Sequence, residues 1–437
     1  MRTIVEIQKI MIDYSLILTQ IEQSLKSLPE YNNLQDFSTE FYQFWQTLGQ
    51  LVQQSLIQSQ IEQREAKYKY AKKKKKKRYY TPLGEIVLIR RGYSTPNGVK
   101  FKVDEELGLP SNKWLSQVLE LACALGVSSE FPNAHKLWRQ WTSIEITEKT
   151  LANQVEKIGN KLQEQEFNNQ EITEEITEEK EKISNCLKVE KIYVGVDGVM
   201  TPLNQKQGYK EAKVGVIFWQ KHHQKQNKRG IVREREYIAT LKSRDEFRCK
   251  MLELYQEITS QATPETIVIG DGAHWIWEMA QEQFPNSIEI LDFYHLSEYV
   301  WKVAKKTYPQ CEIKQKEWVN KQQKLLKESS WQTVINNCGK IKRKNQELSL
   351  AITNLEGYLN NNKTRIDYKR YLELGLMIGS GVVESSNRRI ITQRLKQAGM
   401  HWSKIGAEGV MALRAMYLSN SNRWLNFWNL RRINKVI

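Results

Sequence analysis

Between Lys191 and Asp292 the chain alternates in a way that leaves few architectures open. KIYVGVDG, AKVGVIFW and REREYIATL follow one another as apolar, β-branched runs of strand length. Arg244 to Gln261 has helical spacing, ETIVIGD is a strand, AHWIWEMAQEQF a helix and SIEILD a strand. Three strands followed by helix, strand, helix and strand predict an α/β sheet. From Tyr294 to about Asn362 the residues are polar and aromatic with no strand candidate, which predicts a helical insertion before IGSGVVESSNRRIITQRLK.

Acidic residues stand at the element ends of this pattern. Asp197 ends the first strand (YVGVD), Asp271 the fourth (VIGD), and Glu384 opens a late helix (GVVESSNRRI). Each has an ordinary reading: Asp197-Gly198 as a hairpin turn, Asp271-Gly272 as a loop with a helix cap, Glu384 as a surface partner of Arg388. Together and in this order they can converge on one side of a sheet. Carboxylates held close raise one another's pKa unless a cation compensates. Mg²⁺ takes oxygen ligands and suits two or three carboxylates, and paired ions about 4 Å apart serve phosphodiester chemistry.

The charge balance points to a polyanionic partner. Lys plus Arg is 66 and Asp plus Glu is 50, so the formal charge is 66 − 50 = +16, which puts nucleic acid ahead of an acidic membrane surface. Arg64 to Lys102 holds 14 basic residues against two acidic ones, including six consecutive lysines, Lys72, Lys73, Lys74, Lys75, Lys76 and Lys77, then Arg78. This run leads into GEIVLIRRGY, with Arg90 and Arg91, and predicts a basic β-hairpin lying on a phosphate backbone. Before it, residues 1–70 read as a helical segment, with Ile4, Ile7, Ile10 and Met11 in helical spacing. After it, 107–162 reads as three helices of helix-turn-helix form, with Lys149, Asn153 and Lys157 on the surface of the last; an ordinary three-helix bundle fits the same pattern. Residues 163–187 form an acidic, low-complexity linker, and 188–437 the second domain, with its helical insertion at about 297–365. The five cysteines form no C-x-x-C pair, which argues against zinc and against a disulfide framework. MRTIVEIQKIMIDYSLILTQ is too broken by polar residues for a signal peptide or a membrane span, and a cytoplasmic protein is expected.

VGVDGVM, VIGDGAHWIWEMA, LDFYHL and IGSGVVESSNRRI…RLKQAGMHW, in this order, resemble the DDE transposases of bacterial insertion sequences, most closely the ISKra4 type, with looser similarity to the ISL3 and Mutator-like groups. The resemblance covers roughly residues 190–425. It implies an α/β RNase H-like catalytic core with a helical insertion, preceded by a mostly helical DNA-binding region. Carried over by position, it makes Asp197, Asp271 and Glu384 the catalytic, metal-binding triad. Asp292 and His295 of LDFYHL become a supporting pair beside it, although Asp292 would also make a helix N-cap and His295 an ordinary structural histidine. The implied cofactor is Mg²⁺, as two ions, with Mn²⁺ able to substitute. The chain departs from the pattern in GYSTPNGVKFKVDEELGLP, where relatives often carry a C-x-x-C pair, so no zinc is expected there.

Ten basic residues lie between Arg388 and Lys435 against one acid, Glu408. Arg388, Arg389 and Arg394 are expected to face DNA, with His401 and Trp402 as a wedge against a strand; a packed core is the commoner fate of a tryptophan. The implied function is cleavage of the ends of a DNA insertion element and their joining to target DNA. The partners are double-stranded DNA, as terminal repeats and target, and a second copy of the chain or more, without a membrane, in a nucleoid-associated bacterial setting. An RNase H-like nuclease without strand transfer, or a non-catalytic DNA-binding protein, would carry many of the same features.

Overall fold

The computed structural model describes residues 14–26, 33–68, 71–96, 98–168, 190–204, 208–220, 232–259 and 264–433. The N-terminal positions Ile4, Ile7, Ile10 and Met11, most of the acidic linker, Cys186 and Lys435 lie outside these residues. The fold is mixed α/β. The chain divides into two compact units, one comprising 1–155 and 423–437, the other 156–422. The final stretch, expected with the second domain, is therefore counted with the first unit.

In the first unit α1 (Tyr14–Lys26) and α2 (Leu34–Glu65) precede β1 (Ala71–Thr81), β2 (Gly84–Thr95) and β3 (Gly98–Lys100), an antiparallel sheet in the order β1-β2-β3. The lysine run is thus itself a strand. Ile61, Tyr79, Ile86, Leu88 and Val103 make the core beneath it. Alternate amides of β2 face away from β1, and glutamines of α2 take them in place of another strand. Gln50 donates to the Glu85 carbonyl, Gln54 accepts from Val87 N at 2.8 Å, and Gln58 accepts from Ile89 N at 2.8 Å and donates to its carbonyl at 3.1 Å. Four residues of helix advance about 6 Å and two of strand about 6.6 Å, so one glutamine per turn keeps step with one amide pair per two residues. α3 (Lys102–Leu107), α4 (Ser116–Ser128) and α5 (Phe131–Trp141) follow, and α6 (Glu148–Asn168) begins in this unit and continues in the second from Glu156. Trp114 packs edge-on to Tyr80, and Trp138 donates to the Ile144 carbonyl at 2.8 Å.

In the second unit β4 (Lys191–Pro202), β5 (Tyr209–Gln220) and β6 (Val232–Thr240) form an antiparallel meander. After α7 (Arg244–Thr259), the chain places β7 (Glu265–Gly270) parallel to β4; after α8 (His274–Gln283) it adds β8 (Ile288–Leu291) parallel to β7. The order is β6-β5-β4-β7-β8. Ile267, Val268 and Ile269 are fully buried, as strands covered on both faces must be. Residues 293–361 are four helices, α9 (Phe293–Thr307), α10 (Glu312–Lys327), α11 (Trp331–Gly339) and α12 (Gln346–Asn361), with no strand among them. α13 (Tyr368–Glu373) and α14 (Gly381–Asn387) lead into one π-helical turn, Arg388–Thr392. α15 (Lys404–Leu418) is fastened to the end of β6 by buried Glu408, which accepts from Thr240 Oγ1 and Leu241 N. In the first unit α16 (Arg423–Ile433) buries Trp428 and hydrogen-bonds Glu120 of α4 through Trp424 at 3.1 Å.

The glutamine ladder sets a stability prediction. Gln58→Leu removes both partners of Ile89's backbone groups and should cost about 1–3 kcal/mol, read as a lowered denaturation midpoint. Gln63→Leu, at an exposed position of the same helix, should stay within about 0.5 kcal/mol of wild type. Equal midpoints for the two variants would contradict the ladder.

Candidate active site

Strand register brings the first two acids together. β4 and β7 run parallel with Gly195 opposite Ile269. Asp197 lies two residues further along β4 and Asp271 two residues on from Ile269, just past the end of β7, where its charge acts on Asp197. β8 adds Asp292 immediately after Leu291, which lies opposite Gly270. Asp197 does not end its strand, as the sequence reading expected, nor is Asp197-Gly198 a turn. β4 continues to Pro202 because β5 is long enough to pair with it, with Asp197 opposite Val214. What ends is β7, at Gly270, so Asp197 borders the gap beyond the shorter strand.

Asp197 is half-buried, and its carboxylate accepts from Gly198 N at 2.7 Å and from Asn387 Nδ2. Burial pushes its carboxyl up to about 6; the hydrogen bond from Gly198 opposes the rise, the charge of Asp271 adds to it, and Asn387 and His295 oppose it. Asp271 accepts from Ala273 N at 3.0 Å through its side chain, and its own carbonyl accepts from the Tyr358 hydroxyl. Gly272 has φ +89°, and a Cβ there would stand 2.9 Å from the Tyr358 ring, so glycine is required on both counts. Tyr358 stacks on Tyr299 with centroids 4.3 Å apart, and His295 lies 5.9 Å from the Tyr299 ring and 6.1 Å from that of Tyr358. The helical block thereby reaches the site.

Asp292 is buried and caps α9 through Tyr294 N at 2.8 Å. It also accepts from Ser380 N at 3.1 Å and from the Ser380 hydroxyl, while Phe293 N donates to the Ile378 carbonyl at 2.9 Å. Asp292 therefore ties the strand end to the segment that launches α14.

α14 lies on β4 because Gly195 has no side chain: a Cβ there would sit 2.4 Å from Val383 Cγ2. This approach lets Asn387 reach Asp197. Glu384, one turn earlier on the same helix, is exposed. Among the described residues, no three of His, Cys, Asp and Glu lie where together they could hold a metal ion. The structure thus gathers Asp197, Asp271, His295 and Asn387, and leaves the Glu384 carboxylate in solvent. Asn387, Ser380, Tyr358 and Gly195 escaped the sequence reading. Asn387 had one available signal, its spacing of three from Glu384; Tyr358 had none, since its role depends on how the helical block folds back.

The expected DNA contacts divide by exposure. Lys74, Lys75, Lys76, Lys149, Asn153, Lys157, Arg388, Arg389 and His401 are exposed, and Lys149, Asn153 and Lys157 form one stripe along α6. Arg78 and Arg91 are exposed but lie 3.4 Å from Glu85 and Glu65 respectively. The side chains of Lys72 and Lys73 lie outside the described residues. Four expectations need correction. Arg90 has the inward parity of Ile86 and Leu88 on β2; it is 5 % exposed, paired with Asp104 and stacked on Phe101. Lys77 gives its ammonium to the Pro110 and Ser111 carbonyls at 2.8 and 2.9 Å. Arg394 is fully buried over the Trp402 ring. Trp402 is itself core, donating to the Leu395 carbonyl at 3.0 Å, with Leu203 bridged to it.

The raised carboxyl of Asp197 has a consequence for stability. An unfolded aspartate titrates near about 3.9, the folded one at about 6. Between those values the folded state holds the extra proton, so stability falls as pH rises and the loss is complete above the folded pKa. In metal-free buffer, Asp197→Asn should exceed wild type by about 1–3 kcal/mol at neutral pH, a gap that closes on acidification through that window. A gap that widens on acidification would contradict the assignment.

Comparison with curated proteins returns no match. A family model described as "Uncharacterised protein family (UPF0236)" matches residues 31–431. That match runs through both units and includes Asp197, Asp271, Asp292, His295, Glu384 and Asn387, and the protein belongs to this family.

Proposed function

We propose that the protein is a DDE-type DNA transposase whose second unit is an RNase H-like catalytic core. The observation that carries the reading is the pair Asp197, on β4, and Asp271, just past the end of the neighbouring parallel β7, with α14 laid across β4 beside them. Three antiparallel strands followed by two parallel ones, in the order β6-β5-β4-β7-β8, support the RNase H-like assignment.

The side chains suit a hard divalent cation. Burial, with the charge of Asp271 beside it, disfavours the ionised form of Asp197, a cost that a cation relieves. Asp197 and Asp271 would hold Mg²⁺ or Mn²⁺; the Glu384 carboxylate stands in solvent and would join them only by a movement of the first turn of α14. Bound Mg²⁺ would supply charge stabilisation at the phosphorus and a lowered pKa for the attacking water or hydroxyl. The protein's own part is placement. Gly195 and the Asp292–Ser380 tie set where α14 lies, Tyr358 fixes the backbone of Asp271, and Asn387 orients Asp197. Arg388 and Arg389, exposed on the π-helical turn, would hold the phosphate backbone beside the site. β1 of the first unit would add sequence-independent affinity, and the exposed stripe of α6 would read the element ends. Among the described residues no helix is long and apolar enough to cross a membrane; a cytoplasmic, nucleoid-associated homodimer or larger assembly fits the reading.

The reading is tested with DNA carrying the sequences that flank the coding region. Wild type with Mg²⁺ should cut at the element ends and join pre-cut ends to a target plasmid. Asp271→Asn should lower both steps by about 10²–10³-fold, the equivalent of several kcal/mol of charge stabilisation. Cutting without joining of pre-cut ends would identify a nuclease. Binding with no cutting in either protein would leave a DNA-binding protein and sink the catalytic reading.

The lysine strand makes a separate prediction. Replacing Lys72 to Lys76 with Gln, and sparing the structural Lys77, should weaken binding to specific and random DNA alike. It should also flatten the salt dependence by about 0.9 in log–log slope per lost phosphate contact. Asn153→Ala should instead lower discrimination more than affinity. Loss of specific binding alone in the lysine variant would show that this division of labour is wrong.

A further inference from the structure

We infer that Asn387 is itself a metal ligand, through its side-chain carbonyl, in the same centre as Asp197 and Asp271; the inference rests on the metal-centre reading above. Asn387 is 7 % exposed. Its Nδ2 donates to Asp197 Oδ2, and its Oδ1 is buried without a hydrogen-bond partner. Turning the amide over would set two acceptors against each other, so the donor end belongs on Asp197. The other end of the amide is then a buried acceptor with nothing to accept, which is unfavourable and calls for an explanation.

A cation supplies the reason. An amide carbonyl is a hard, neutral oxygen ligand of the kind Mg²⁺, Ca²⁺ and Mn²⁺ accept. The two ends of one amide are close together, so a cation on the Asp197 carboxylate lies within reach of Oδ1. Neutrality matters at this position. A third carboxylate here would press on Asp197, whose burial and proximity to Asp271 already disfavour its charge. An amide adds a ligand and a hydrogen-bond donor without adding repulsion. α14 then offers two unlike oxygens one turn apart: Asn387, fixed against β4, and Glu384, exposed at the helix start.

The test is Mn²⁺ binding by calorimetry, together with thermal unfolding in metal-free and Mn²⁺-containing buffer, for wild type, D197N, N387L and N387D. Wild type should bind Mn²⁺ in a manner abolished by Asp197→Asn, and Asn387→Leu should weaken binding by about 10–100-fold. Asn387→Asp separates a ligand from a mere orienting group. Without metal it should unfold at a lower temperature than wild type, because two carboxylates then meet. With Mn²⁺ it should gain more stability than wild type and bind more tightly. If N387L and N387D both keep the wild-type affinity, or if N387D binds no more tightly than N387L, Asn387 is only an orienting group and the inference is overturned. If wild type shows no Asp197-dependent binding at all, the metal-centre reading fails first, and this inference with it.

Discussion

Everything at the candidate site depends on how closely a helix can approach a strand. α14 rests on β4 over Gly195, where any side chain would collide with Val383. That contact is steric and unforgiving, because protein interiors are close-packed and accommodate extra atoms only by moving their neighbours. It sets the height of α14 above the sheet, and so decides that Asn387 meets Asp197. Asp292 holds the other end of the arrangement. By capping α9 and binding Ser380 it joins the end of β8 to the start of α14, so the helix is located by a strand beneath it and by a hydrogen-bonded tie at its origin.

The electrostatics follow from that geometry. A strand that stops early leaves a gap, and the residues bordering the gap are aspartates. Placing Asp197 there, partly out of water and beside Asp271, raises its carboxyl toward neutrality. A fold chosen only for stability would put an amide or an apolar residue at such a position. Asp197 instead carries its carboxylate there at an energetic cost, the pattern expected of a site arranged for a ligand. Tyr358 extends the arrangement to the helical block, since its hydroxyl binds the Asp271 carbonyl and its ring forbids a side chain at Gly272.

Much of this was legible in the residues. The alternation from Lys191 to Asp292 carried the sheet, because buried strands announce themselves by short apolar runs, and Asp271 stood out by following one. The absence of strand patterning after Tyr294 carried the helices. The failures share a cause: a local pattern cannot tell where a charged or aromatic side chain will point. Arg90 looked like a phosphate contact beside Arg91, yet strand parity sends the two in opposite directions, and only knowledge of which face of β2 is covered says which one turns inward. Arg394 and Trp402 fall near exposed arginines in sequence, but they close a core made with Leu395 and Leu203. Asn387 has no local signature beyond its spacing from Glu384; its position follows from the distance between α14 and β4, which no local pattern encodes. The glutamines of α2 read as mere polarity until β2 is seen beside them.

The central claim is that the gap beside β7 is a divalent-cation site. Its most direct test is a crystal grown with Mn²⁺ and examined by anomalous scattering. The account predicts a peak within coordination distance of the Asp197 and Asp271 carboxylates. A crystal saturated with Mn²⁺ that shows no peak at these two residues, with Mn²⁺ bound elsewhere or nowhere, would contradict it.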